Sequence, residues 1–176
     1  MGNPLQTFYR QIEELVEHSD QRFLEQGPSL LEKAAQDTRF LRAVEEARGD
    51  QMRAVVMGEV GKPVIVAWNW PLDFSLRPHE HHGKSCFDIG TQGQFVVVNY
   101  MPHEEEKGVF TLEEWGTQVV NPGQIARVDP RVTEVHSVYC PLGATSIHVY
   151  PAGSLTTTIF EKQGEKYLRK EIQVPR

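Results

Sequence analysis

Arg77-Pro78-His79-Glu80-His81-His82-Gly83-Lys84-Ser85-Cys86-Phe87-Asp88-Ile89-Gly90-Thr91-Gln92-Gly93 is the stretch that decides how the chain is read. In extended backbone the side chains alternate between faces, so His79 and His81 project to one side while Glu80 and His82 project to the other. Two imidazoles placed in this way can chelate one metal ion, and a third ligand must then come from another strand. His136 supplies that candidate, because it lies in Val132 to Cys140, a run of strand character. Read alone, His-Glu-His-His after Pro78 could equally be a solvated turn. The conjunction with His136 and with two further polar constellations favours a metal triad of His79, His81 and His136. His82 should point outward, and it reads as a surface residue together with His18 and His103.

Outside this stretch the composition sets limits. The chain has 176 residues, 39% hydrophobic and 24% charged, which is ordinary for one globular domain with a real core. Its formal charge of -6 and lack of a basic run argue against nucleic acid as a partner. No apolar stretch approaches membrane-spanning length, and Met1-Gly2-Asn3-Pro4-Leu5 has neither a basic lead nor a hydrophobic signal core, so a cytoplasmic protein without a membrane partner is expected. Cys86 and Cys140 are too few for a disulfide framework and fit reduced thiols. A monomer or small homo-oligomer is the expectation for assembly.

The first ~50 residues read as helices. Phe8, Ile12, Leu15 and Val16 follow helical spacing. Ser29 and Glu32 have capping-box spacing after Gly27-Pro28, which places a second helix start at Ser29. Leu30, Ala34, Leu41 and Val44 carry the buried face onward, with an interruption at Asp37-Thr38 and an end at Gly49. From about Arg53 short β-rich runs follow: Val64 to Trp70, Gln94 to Tyr100, Gly116 to Val120, Gln124 to Val128, Val132 to Cys140, Thr145 to Tyr150 and Leu155 to Phe160. Gln163-Gly164 then leads into Lys166 to Val174 as a closing hairpin. Several short strands at regular intervals predict a mainly β barrel or sandwich with the helices packed outside, over residues 1–50 and 51–176 of one domain.

The other polar constellation is Ser146-Ile147-His148-Val149-Tyr150. Period two puts Ser146, His148 and Tyr150 on one face and Ile147 and Val149 on the other. A hydroxyl, an imidazole and a phenol in file can hydrogen-bond in sequence and present the phenolic OH to a site. A half-buried strand whose polar residues merely alternate would look the same.

The His79-x-His81 spacing with Gly93 resembles the first signature of the cupin superfamily, a small β-barrel that holds a metal. In that signature Cys86 stands at the acidic position. The full set, His79, His81, Cys86, His136, then Ser146-x-His148-x-Tyr150, looks like the cysteine dioxygenase (thiol dioxygenase) branch. The resemblance covers roughly residues 50 to 152 and implies a cupin-type double-stranded β-helix barrel. It implies Fe(II) on the three histidines, a Ser146-His148-Tyr150 triad beside it, and a Cys86-Tyr150 thioether in some members. Arg53, 26 residues before His79, falls where the family has its substrate-carboxylate arginine, and Trp70 falls where a tryptophan is common. Gln51 stands where mammalian-type members have a tyrosine, and the interval from His136 to His148 is shorter than theirs. Bacterial relatives acting on 3-mercaptopropionate commonly lack the arginine and the cysteine, so Arg53 and Cys86 lean toward cysteine.

What the resemblance implies chemically is oxidation of a small thiol by O₂ to its sulfinic acid. Three neutral imidazoles leave a dication with open positions. A thiol of pKa ~8.5 ionises on such a centre at neutral pH. Arg53 clamps the substrate carboxylate, Tyr150 donates to the reacting oxygen, and Ser146 fixes His148. Cys140 reads as a small buried hydrophobe. Glu80 and Glu134 alternate away from the ligands, and Glu104-Glu105-Glu106 reads as a solvated loop. Two other classes stay open: a three-histidine cupin that oxidises a carbon substrate such as a β-dicarbonyl, and a non-enzymatic small-molecule-binding cupin.

Overall fold

Apolar residues three and four apart make three amphipathic helices in the computed structural model, which describes residues 2–174. Helix α1 is Pro4–His18, α2 Asp20–Ala35 and α3 Thr38–Arg48. Asn3, Ser19 and Asp37 accept backbone N–H groups at the three starts, which offsets donors that a helix leaves open at its first turn. The interruption expected at Asp37-Thr38 is the α2–α3 boundary, and Gly49 caps α3 at φ 60°.

The start expected at Ser29 is not made. Helix α2 begins after Ser19 and runs through Pro28. A proline inside a helix costs about 3 kcal/mol. Fully burying Phe23, Leu24 and Leu31 against the sheet contributes about 1.5–3 kcal/mol each and outweighs that cost. Local capping chemistry at Ser29 therefore lost to tertiary packing.

Among the described residues nine strands follow: β1 Arg53–Gly58, β2 Val64–Glu80, β3 Cys86–Gly93, β4 Phe95–Glu106, β5 Val109–Val120, β6 Ile125–Val128, β7 Val135–Tyr150, β8 Thr156–Gln163 and β9 Lys166–Gln173. The strands pair antiparallel, and β2, β8, β9, β5, β4 and β7 close a ring because β7 also pairs with β2. Strands β1, β3 and β6 extend the wall formed by the first half of β2 and the second half of β7. This is the mainly β barrel with helices packed outside that was expected.

Strands β2 and β7 are longer than their apolar runs suggest. The run expected to end at Trp70 continues through Pro71 and Pro78 to Glu80, and the two runs Val132 to Cys140 and Thr145 to Tyr150 are one strand. The register runs from Val64 opposite Tyr150 to His79 opposite His136, with one irregularity between Leu76 and His79. Prolines break the sequence signal, yet each removes only one donor, and the neighbouring pairs Trp70–Ala144 and Leu72–Leu142 hold the ladder. Strand β3 carries Asp88, Gly90 and Gly93, residues depleted in strands, and this hid it from the pattern. The consecutive charged residues Glu113 and Glu114 likewise hid the first half of β5.

Alternation gives the helix-bearing wall two different faces. Ile65, Ala67, Phe87, Ile89, Ile147 and Val149 join Phe8, Ile12, Phe23 and Leu31 in one apolar core beneath the helices. Val66, Trp68, Trp70, Ala144 and Tyr150 line the barrel side with Phe95, Val97 and Val138. The helices thus seal the back of the wall whose front carries the polar residues.

Gly27 is where α2 comes closest to this wall. A Cβ there would lie 2.5 Å from the Phe87 ring, and Phe87 is fully buried. Gly27→Ala gains up to about 1 kcal/mol of helix propensity. Overpacking costs about 1–3 kcal/mol and decides the sign. Urea denaturation should show a net loss of stability for Gly27→Ala and little change for Gly116→Ala, whose added Cβ meets nothing within 4 Å.

Candidate metal centre

His79 near the end of β2 and His136 at the start of β7 are cross-strand partners, and His81 follows β2 directly. One potential ligand atom from each of the three histidines lies within 4.8 Å of the others. The ring centroids are 4.2 Å apart for His79 and His136, 5.0 Å for His79 and His81, and 4.9 Å for His81 and His136. The backbone fixes two of the rings. Nδ1 of His79 donates to the Arg77 carbonyl at 2.9 Å and Nδ1 of His136 to the Glu134 carbonyl at 3.0 Å, leaving each Nε2 as a lone pair.

This set fits a metal ion. Burial, reinforced at His81 and His136 by neighbouring imidazoles, lowers the proton affinity of all three rings, and a neutral imidazole is the ligand form. Nδ1 of His81 is buried without a hydrogen-bond partner, an orphan polar atom of the kind a bound ion would satisfy. His82, by contrast, is exposed at φ 55° on the turn after His81. His18 and His103 are also exposed, the first on the Glu14 carbonyl and the second on Glu113.

Tyr150 stands beside the cluster, its ring edge-on to His81 at 5.0 Å. The register pairs Phe87 with Val149, so Cys86 comes opposite Tyr150 on the same face. Burial raises both groups; Asp88 adds to the rise at Cys86, and Cys86 adds to the rise at Tyr150, where Arg53 opposes it. Arg53 opens β1 and sits over the Trp68 ring at 5.7 Å.

The Ser146-His148-Tyr150 file is only half connected. Ser146 Oγ is 2.8 Å from His148 Nε2, and the Trp70 indole N–H donates to the same hydroxyl at 2.7 Å. His148 and Tyr150 are instead near-parallel rings 6.4 Å apart, with no hydrogen bond joining them among the described residues. Trp70 is buried against Trp68, with ring centroids 4.1 Å apart. Gln51 precedes β1, exposed, with its carbonyl accepting from Arg48.

Two residues not singled out by the sequence reading join the neighbourhood. Asp88 pairs with His148 across β3 and β7, with Oδ2 3.7 Å from His148 Nδ1. Burial pushes Asp88 up to about 8 and holds His148 down at about 3, so each is neutral near pH 7. Its signal was there: Cys86 and Asp88 share a strand face. Arg169 on β9 reaches the buried Glu80 carboxylate, and burial together with Glu80 lifts Glu134 to about 6. Glu80 and Glu134 thus alternate away from the ligands as expected, into a cluster of their own.

Cys140 packs in the barrel wall, with its thiol directed at the Gln94 carbonyl. Glu104 to Glu106 end β4 and are not a loop, and Glu105 meets Lys166 at 3.0 Å. Surface clefts lie elsewhere, one lined by Glu32, Leu41, Thr91 and Gly123 and another by Gln11, His18, Arg22 and Gln26. No helix among the described residues is long and apolar enough to cross a membrane.

No family model and no curated protein matches the chain. Among solved structures it is similar to a cupin superfamily protein from Desulfitobacterium hafniense, at 12% identity over 61% of this chain and 83% of that one, with a TM-score of 0.42. It is similar to hydroquinone 1,2-dioxygenase from Sphingomonas sp. TTNP3, at 14% identity over 64% of this chain and 73% of that one, TM-score 0.47. It is also similar to the polyketide cyclase RemF from Streptomyces resistomycificus, at 14% identity over 64% and 72%, TM-score 0.45.

Replacing His79, His81 or His136 by Ala should abolish metal retention after dialysis, measured by elemental analysis, whereas His82→Ala should retain the ion. Loss at His82 with retention at His81 would mean that the pairing register is wrong by one residue. Asp88 provides a separate pH signature. Its folded value near 8 lies above the ordinary 3.8, so its contribution is full in acid and is lost as pH rises toward 8. His148, lowered from 6.5 to about 3, acts in the opposite direction but only below 6.5. Chelated protein should therefore lose stability between about pH 6.5 and 8, by up to ~1.4 kcal/mol per unit, and Asp88→Asn should remove that slope in urea titrations.

Proposed function

We propose that this chain is a thiol dioxygenase that holds iron(II) on His79, His81 and His136 and oxidises a small thiol, above all cysteine, to its sulfinic acid. The observation that carries this reading is the placement of Tyr150, opposite Cys86, edge-on to a cluster of three neutral imidazoles, those of His79 and His136 buried and that of His81 half-buried. When bound, iron(II) acidifies the thiol and couples its oxidation to reduction of O₂. In the balance R–SH + O₂ → R–SO₂H, two S–O bonds form and the O–O bond breaks. Sulfur gives up four electrons, each oxygen gains two, and the proton stays with the product.

The residues of the chain supply binding and proton control. Burial keeps the Tyr150 phenol protonated well above neutrality, so it offers a hydrogen bond to substrate or oxygen without ionising. Burial lowers Arg53, yet a guanidinium stays charged at physiological pH, and its fork suits a carboxylate. Stacked Trp68 and Trp70 close one side with apolar surface and help to exclude water. The Trp70–Ser146–His148 chain holds that wall and the imidazole in one arrangement.

Metal analysis with an oxygen electrode tests the reading. Iron content together with O₂ uptake on cysteine supports it. Uptake only with β-dicarbonyls, or none with any thiol including 3-mercaptopropionate and cysteamine, overturns it. Arg53→Ala should lower kcat/KM for cysteine by roughly 10–100-fold, the value of one charge-assisted pair, and leave cysteamine nearly unchanged because it has no carboxylate.

A further inference from the structure

The geometry points to Asp88 as the positioning residue of His148: it accepts the Nδ1–H of that ring, fixes its tautomer and turns it away from Tyr150. The argument begins at the far end of the chain. A tryptophan N–H can only donate, so Trp70 occupies one acceptor position of the Ser146 hydroxyl at 2.7 Å. Ser146 is 1% exposed, and its own proton needs an acceptor inside the protein. His148 Nε2, 2.8 Å away, is the partner in place. Ser146 Oγ keeps a second lone pair that can accept an Nε2–H in the opposite tautomer, so an acceptor at Nδ1 is what selects the form with the lone pair on Nε2 and the proton on Nδ1.

That Nδ1–H faces Asp88. The two residues are directly opposed across β3 and β7, and both side chains are more than nine-tenths buried. Oδ2 lies 3.7 Å from Nδ1, an approach that a small rotation of the carboxyl converts into a bond. Little opposes the rotation, because Oδ1 of Asp88 is buried and has no hydrogen-bond partner. The oxygen accepts whether or not the acid is ionised, so the direction Trp70 to Ser146 to His148 to Asp88 does not depend on its charge. The groups that face the pair are Cys86 and Tyr150 on the same wall, Arg53 on β1, His79 on β2, and His81 and His136 beyond it. On the β6 side Asp88 meets Ala126, which offers no competing side-chain partner.

Long-range ¹H–¹⁵N NMR of the full chain with ¹⁵N-histidine, after chelation of paramagnetic ions, reads the tautomer directly. The His148 signals are assigned by their loss in His148→Gln. The expected result is a pyrrole-type Nδ1 and a pyridine-type Nε2 in the wild type. Asp88→Asn, whose amide oxygen can still accept, should keep this pattern. Asp88→Leu should lose it, giving averaged shifts of mixed tautomers. An Nε2–H tautomer in the wild type, which needs no variant to fold, overturns the inference, as does an unchanged pattern in Asp88→Leu. No thiol or oxygen enters the measurement, so it stands or falls apart from the proposed reaction.

Discussion

The antiparallel pairing of β2 with β7 is the constraint from which the site follows. It sets His79 against His136, Trp68 against Ser146, Val66 against His148 and Val64 against Tyr150. Side-chain direction alternates strictly along a strand, so one register decides at once which residues face the barrel and which face the helices. A slip of β2 by one residue would turn His79 away from His136 and set Pro78 or Glu80 in its place. The irregularity between Leu76 and His79 matters for the same reason: it adjusts the pairing just before the first histidine.

Closure of the wall at its back makes its front a place where charge is expensive. Phe23 against Phe87, with ring centroids 4.8 Å apart, and the close passage of Gly27 dock α2 on β3. Behind the polar file this leaves apolar core rather than water. Desolvation is accordingly the first cause of the shift at each of the three clustered histidines, at Cys86, Asp88, His148 and Tyr150. Neutral imidazoles are ready ligands for a cation, and a neutral phenol and carboxyl are ready hydrogen-bonding groups. The helices pack on the back of the wall and help to create the low-dielectric setting that keeps those groups neutral.

Much of this was legible one residue at a time. Period two in His79-x-His81 and Ser146-x-His148-x-Tyr150 placed each set on one face, and the structure keeps both placements. The helical spacing of Phe8, Ile12 and Leu15 marked α1, while the Ser29 capping box misled because a local signal cannot weigh the burial of Phe23 and Leu31. The connection expected from His148 to Tyr150 failed for a related reason. Sharing a face says nothing about whether two rings reach each other.

By itself, then, the sequence determined what depends on a few adjacent residues: the faces of the strands, the helical N-terminal region, the histidines able to chelate and the mainly β class. Only the tertiary structure decided which strands adjoin. It continued β2 through two prolines, put Asp88 on β3 opposite His148 and brought Arg169 from β9 to Glu80. These are contacts between residues far apart in the chain, selected by closure of the barrel and by apolar burial on both faces of its wall. Backbone periodicity is a local property, whereas the partner of a buried polar group is set by whatever the whole fold carries to it.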